Sequence, residues 1–280
     1  MAKQHKSRGR ARPVALVTGA SSGIGLEYAE RLAAKGYDLA VVARRRARLE
    51  SVAEQLRSDL GAAVEVIAAD LTKQGDLRLV EERIRTAERL EMLVNCAGFG
   101  TVASFPTVDP DRIENEIALN VTAVVRLTRA ALPGMTARRK GTIVNVSSMA
   151  SFQPNPYLAS YGASKAYVTN FTEALSAELE GSGVFLQALC PGPVHTEFGE
   201  VAGVPEDTLP EFVFASPAQV VDASLRGIER GEVVCVPGTM ESLLSTVIDV
   251  LPRWFLRRAS RGLTRRYIKE RNVSPGFNEY

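Results

Sequence analysis

Seven short apolar runs alternate with helical patterns along most of this 280-residue chain, and that alternation restricts the open architectures more than any other feature. The runs are Val14 to Val17, Asp38 to Ala43, Ala63 to Ala68, Met92 to Cys96, Thr142 to Val146, Val184 to Leu189 and Val233 to Val236. Most are nearly continuous Val, Ile, Leu and Ala, the composition of strands covered on both faces. Helical patterns lie between them, over Leu26 to Lys35, Ala47 to Leu60, Asp76 to Arg89, Asp111 to Arg139, Tyr161 to Glu180 and Pro217 to Arg230. Strands joined through helices take right-handed crossovers, so the order predicts an α/β fold: a doubly wound parallel sheet of about seven strands with helices on both faces. No repeat, low-complexity tract or Pro/Gly/Ser linker interrupts the first 240 residues. One domain is therefore expected over 13–238, between a basic arm at 1–12 and an extension at 239–280.

Composition excludes several classes. With 45% hydrophobic and 24% charged residues the chain is neither disordered nor collagenous. Cys96, Cys190 and Cys235 are widely spaced and odd in number, which reads as reduced thiols rather than a disulfide framework or a metal cluster. Two distant histidines, His5 and His195, add no zinc constellation, so no metal is expected. A signal-peptide pattern is missing and the late apolar stretch Leu243 to Leu256 is too broken to span a bilayer, so the expected location is cytoplasmic. The net charge of +2 hides a split, because Met1 to Arg12 sum to +5 and Arg253 to Arg271 to +7, leaving an acidic body between basic ends. That distribution argues against a nucleic-acid binder.

The first predicted strand ends in Thr18-Gly19-Ala20-Ser21-Ser22-Gly23-Ile24-Gly25 and a helix follows at once. Gly19 suits a sharp turn, Gly23 a close backbone approach to a pyrophosphate, and Gly25 close packing of the helix. The helix N-terminus beyond them offers free N–H groups and a positive dipole end to phosphates. A glycine loop in this place marks the sheet as Rossmann-type and nucleotide-binding. Where the second strand ends, an NAD site normally places an acid, yet this chain has Arg44, Arg45 and Arg46. A guanidinium suits a 2′-phosphate, so NADP(H) is expected over NAD(H), with Arg44 nearest the strand and Ser21 and Ser22 adding hydroxyls. Asp70-Leu71 after the third strand offers an acceptor for an adenine amino group or a helix N-cap. Asn95, Cys96, Ala97 and Gly98 after the fourth let a ribose lie close to backbone.

With Asn120, Ser148, Tyr161-Gly162-Ala163-Ser164-Lys165 and Pro191-Gly192 following in order, the chain resembles the short-chain dehydrogenase/reductase family from about Val14 to Val236. Cys96, Ala123 and Ser151 depart from the family pattern, and none of them carries chemistry. The resemblance implies hydride transfer between a nicotinamide and a carbonyl or secondary alcohol, with Tyr161 as acid/base. Tyr161 and Lys165 are four apart in a helical pattern and so share a face, where an ammonium and an oxidised nicotinamide would both lower the phenol pKa. Ser148 would hold the substrate oxygen, its neighbour Ser147 being the rival. The resemblance makes Asn120 the residue that bends its helix and holds a water in a relay through Lys165. Pro191, Gly192, the Val194 backbone and Thr196 would meet the nicotinamide.

The segment Phe198 to Phe214 reads as a variable, apolar lid, which points to a hydrophobic carbonyl or alcohol substrate. The resemblance implies a homodimer or homotetramer packed through Asp111 to Arg139 and Tyr161 to Glu180. In the extension, Leu243, Leu244, Val247, Ile248 and Leu251 keep helical spacing before Trp254-Phe255-Leu256 and a series of arginines. That pattern suits the surface of an anionic membrane, and equally packing on the domain or on a partner subunit. A fold of this kind can also persist as a non-catalytic, redox-sensing NADP-binding protein, but the complete set of Ser148, Tyr161 and Lys165 favours an enzyme.

Overall fold

The computed structural model describes residues 12–202 and 213–238. The basic arm before Arg12, the middle of the lid and the extension with its amphipathic pattern lie outside the described residues.

Continuous apolar runs become central strands because both faces find a helical layer to cover them. The elements run β1 (Val14–Thr18), α1 (Gly23–Ala34), β2 (Asp38–Ala43), α2 (Arg46–Leu60), β3 (Val64–Ala68), α3 (Gln74–Arg85), β4 (Leu90–Asn95) and α4 (Pro110–Ile117). They continue through α5 (Val124–Arg138), β5 (Gly141–Val146), α6 (Ala159–Glu178), β6 (Val184–Leu189), α7 (Phe198–Ala202), α8 (Pro217–Arg230) and β7 (Val234–Cys235). All seven strands form one parallel sheet in the order β3-β2-β1-β4-β5-β6-β7. Leu32 of α1, Leu49 and Leu56 of α2 and Val220 of α8 build the core of one face. Leu77 and Ile84 of α3 and Leu127 and Met135 of α5 build the other.

The chain leaves β1 in one direction and returns at β4 in the other, so the carboxyl ends of these neighbours diverge and open a crevice. Thr18 ties the crevice floor, its Oγ1 accepting from the N–H groups of Cys96 and Ala97 at 3.0 Å each. One helix pattern differs from expectation. Asp111 to Arg139 is not a single α-helix: Ala118–Ala123 forms a π-turn between α4 and α5. A π-turn holds an extra residue, and such insertions occur mostly as single turns inside α-helices, often at functional sites.

A buried polar ladder fixes the floor of the crevice. Register sets Asn95 of β4 beside Asn145 of β5, and Asn95 Nδ2 donates to Asn145 Oδ1 at 2.8 Å. Asn145 Nδ2 in turn donates to Thr172 Oγ1 of α6 at 3.0 Å, linking the sheet to the helix that carries Tyr161. Asn145→Ala strands both partners in a dry interior. It is expected to cost about 2 kcal/mol of stability, read as a lower urea midpoint at unchanged slope, and a midpoint equal to that of the parent refutes this role.

Candidate active site

The loop from Gly19 to Gly25 rises between β1 and α1 at the crevice. Gly19 and Gly23 both have positive φ, +71° and +56°, which only glycine adopts without strain. A Cβ on Gly23 would also stand 2.8 Å from Thr196 Cγ2, so the Pro191-Gly192 segment closes directly onto the glycine loop. Gly25 packs on the carbonyl of Gly19 rather than on the sheet. Ser22 precedes α1 without a side-chain cap, leaving the first N–H groups of the helix open toward the groove between Ser21-Ser22 and Thr196-Glu197.

Arg45, not Arg44, touches this loop. Its Nη2 donates to Ser21 Oγ at 3.1 Å and to Ser22 Oγ at 3.2 Å, while Arg44 is exposed at the strand end. The turn into α2 starts immediately after Ala43, and it is the second residue of that turn that points back over the glycine loop. Arg45 and Arg48 also hold the Glu197 carboxylate, Arg45 at 2.8 Å, and the two guanidinium groups pull the Glu197 pKa down to about 2.

Two further expectations change on the adenosine side. Asp70 Oδ1 accepts from Thr72 N and Thr72 Oγ1, and the N-cap of α3 is Lys73, so Asp70 shapes a turn rather than capping the helix. Leu71 beside it is 5% exposed and belongs to the core. Asn95 is buried and its Nδ2 donates to Asn145 and Thr128, so its side chain ties β4 to its neighbours instead of opening to the crevice.

The reacting groups converge from three elements. Tyr161 and Lys165 lie on one face of α6 and are both buried. Ser148, just beyond β5, stands beside the Tyr161 side chain and acts to lower its pKa, and its Oγ accepts from Ala150 N at 3.1 Å. Ser147 points the other way, bonded to the Lys165 carbonyl and Thr169. Lys165 Nζ sits 5.7 Å from the Tyr161 ring centroid and donates to Val146 O at 2.8 Å. Asn120 lies in the π-turn, where Nδ2 donates to Phe99 O and Ser164 Oγ and Oδ1 accepts from Phe99 N. Its amide thereby clamps the loop after β4 to α6.

The chain's own groups raise the phenol pKa: burial pushes the Tyr161 phenol up to about 12 although Ser148 acts to lower it, and burial draws Lys165 down to about 8. The chain by itself thus keeps Tyr161 protonated, which is the form that gives a proton to a carbonyl oxygen.

Over this cluster lies an apolar wall that the sequence located only as part of a lid. The Phe198 ring of α7 tilts against Tyr161 with centroids 5.3 Å apart, and Gly100 leaves room for both rings. Arg112 anchors that wall, donating from Nη2 to Val201 O at 2.8 Å while its guanidinium lies over the Phe99 ring. His195 stacks on Phe214 at 4.8 Å, away from the reacting groups. Among the described residues no group of His, Cys, Asp and Glu is arranged to hold a metal ion, and no helix is long and apolar enough to cross a membrane.

Comparison with known proteins meets this geometry from outside. A family model described as short chain dehydrogenase matches residues 13–204. A very-long-chain 3-oxoacyl-CoA reductase of Anas platyrhynchos is 32% identical over 270 residues, 92% of this chain and 83% of the relative. A short-chain dehydrogenase from Sphingobium yanoikuyae, solved in complex with NADPH, superposes with a TM-score of 0.78 at 38% identity, over 96% of this chain and 99% of that one. A bulky-bulky ketone specific alcohol dehydrogenase from Comamonas testosteroni superposes with a TM-score of 0.74 at 35% identity, over 95% and 97% of the two chains.

Proposed function

The chain belongs to the short-chain dehydrogenase/reductase family and is an NAD(P)-dependent oxidoreductase of carbonyl and alcohol groups, and from that premise we propose that it reduces bulky apolar ketones with NADPH. The observation that carries this reading is the Phe198 ring against Tyr161, which sets an apolar wall beside the proton donor. The proteins that the chain is similar to, a very-long-chain 3-oxoacyl-CoA reductase and a bulky-bulky ketone specific alcohol dehydrogenase, support the same class.

The residues of the groove fit a nicotinamide dinucleotide phosphate. The open N–H groups of α1 and the Gly23 cradle against Thr196 would hold the pyrophosphate, and Arg45 with Ser21 and Ser22 would hold the 2′-phosphate. When bound, the nucleotide supplies the hydride that reduces the carbonyl carbon. Ser148 holds the carbonyl oxygen beside Tyr161, and Tyr161 donates its phenolic proton to that oxygen as negative charge develops there. The Lys165 ammonium then steadies the phenolate left behind. In the reverse direction the phenolate takes the proton from the alcohol. Assembly through α5 and α6 goes with this reading, since Tyr167 and Phe171 stack on the outer side of α6 with Tyr167 exposed.

Full-length protein assayed for NADPH consumption over a ketone series graded by size tests the proposal. Each added methylene that finds the wall is worth about 1 kcal/mol or somewhat more in kcat/KM, so aryl-alkyl and fused-ring ketones are expected to exceed small polar ones by at least about tenfold. Preference for small polar ketones, or no turnover of any of them, refutes it.

A further inference from the structure

Glu116 in α4 is fully buried, one helical turn before Asn120, and none of the chemistry described above uses it. Burying a carboxyl is costly unless something compensates for its lost hydration. The Thr101 and Ser160 hydroxyls and the Arg112 guanidinium stand near it, yet neither carboxyl oxygen meets any of them in full hydrogen-bond geometry. Arg112 is already committed to Thr101 Oγ1, Gly100 O and Val201 O. The carboxyl therefore faces α6, against which α4 packs, at the turn that carries Ser160, Tyr161 and Lys165.

We propose that Glu116 is a positioning residue for proton transfer, whose carboxylate keeps Lys165 an ammonium and Tyr161 a phenol and so biases the site toward reducing carbonyls. The proposal rests on Tyr161 acting as the proton donor.

Three acidic groups act on Lys165, namely Cys96, Cys190 and Glu116. Burial raises both thiols, Cys96 to about 12, so neither is an anion at neutral pH. Glu116 is left as the source of negative charge. Burial raises its pKa too, while Thr101, Ser160, Arg112 and Lys165 all oppose that rise. A negative charge favours the ammonium over the amine and disfavours the phenolate, and both effects act in the direction that reduction needs. Around the carboxyl the facing groups are Tyr161, Lys165 and Ser160 from α6, Thr101 from the loop after β4 and Arg112 from its own helix.

The test reads Lys165 directly. Lysine Cε resonances are followed by NMR through a pH titration of the nucleotide-free protein, with Lys165 assigned by its loss in Lys165→Met. In Glu116→Gln the Lys165 pKa is expected to fall by about one unit, in Glu116→Met to fall likewise, and in Glu116→Asp to stay near that of the parent. A Lys165 titration unchanged in both charge-free variants overturns the proposal, and either variant alone suffices if the other does not fold. The pH profile gives a second readout. The alkaline limb of ketone reduction should move about one unit lower in Glu116→Gln, while alcohol oxidation at neutral pH rises about fivefold; equal profiles overturn the proposal as well. If the parent protein turns over no ketone, the function proposed above falls, and the lysine titration still decides the role of Glu116.

Discussion

Replacing Tyr161 with phenylalanine is expected to lower kcat for ketone reduction about a thousandfold, within the range set by removing a general acid, while nucleotide binding and stability stay close to those of the parent. The argument is geometric. Phenylalanine keeps the ring, and with it the contact to Phe198 at 5.3 Å and the fit against Gly100. What disappears is the hydroxyl, the group that stands beside Ser148 and is held protonated by burial. Among the described residues no other buried donor with comparable reach replaces it, because Lys165 Nζ is directed to Val146 O and Ser147 is turned toward Thr169. Steady-state rates with NADPH and a bulky ketone, set beside a fluorescence titration with the nucleotide, separate the two effects. Retention of more than about a tenth of the parental kcat is far above what loss of a general acid permits and would assign the acid to another group. A loss of binding in parallel would instead mean that the substitution had disturbed the groove.

How this site could be read from sequence differs from residue to residue, and the differences have physical causes. The strands were legible because a run buried on both faces needs no partner to be recognised as apolar. Tyr161 and Lys165 were legible because helical spacing puts them on one face and the surrounding motifs single that face out. Asn95 was not, since its side chain answers to the register of β4 against β5, which places Asn145 beside it, and no local pattern reports register. Arg44 and Arg45 differ by one position in a turn, and the direction of a side chain there depends on how α2 begins. Ser147 and Ser148 are neighbours that composition cannot separate, and the structure turns only Ser147 toward Thr169. Glu116 is the instructive miss. Its place four residues before Asn120 put both on one helix face, but only the packing of α4 against α6 turns that face inward and makes the carboxyl matter. The burial that raises the Tyr161 phenol is hidden for a related reason: spacing displays the nearby ammonium but not what covers the ring.

Arg45→Asp is expected to reverse the nucleotide preference, lowering kcat/KM for NADPH by about a hundredfold and improving NADH by a few-fold. Losing a charge-assisted contact with a phosphate costs about 1.5 to 3 kcal/mol, and an aspartate in its place adds repulsion of the 2′-phosphate while offering an acceptor to a free ribose hydroxyl. Arg44→Asp at the exposed neighbouring position should change the ratio much less, which distinguishes a built contact from the general field of three adjacent arginines. Glu197 sharpens the test. Its carboxylate already bridges Arg45 and Arg48, so an incoming phosphate has to displace an anion held by the same guanidinium groups. Glu197→Gln removes that competitor and is expected to tighten NADPH several-fold with little effect on NADH, because only the phosphate-bearing nucleotide contests the arginines. Calorimetric titrations of both nucleotides against the three variants measure these ratios without relying on turnover. Equal weakening of NADPH and NADH by Arg45→Asp would show that Arg45 supports the glycine loop through Ser21 and Ser22 and does not read the phosphate.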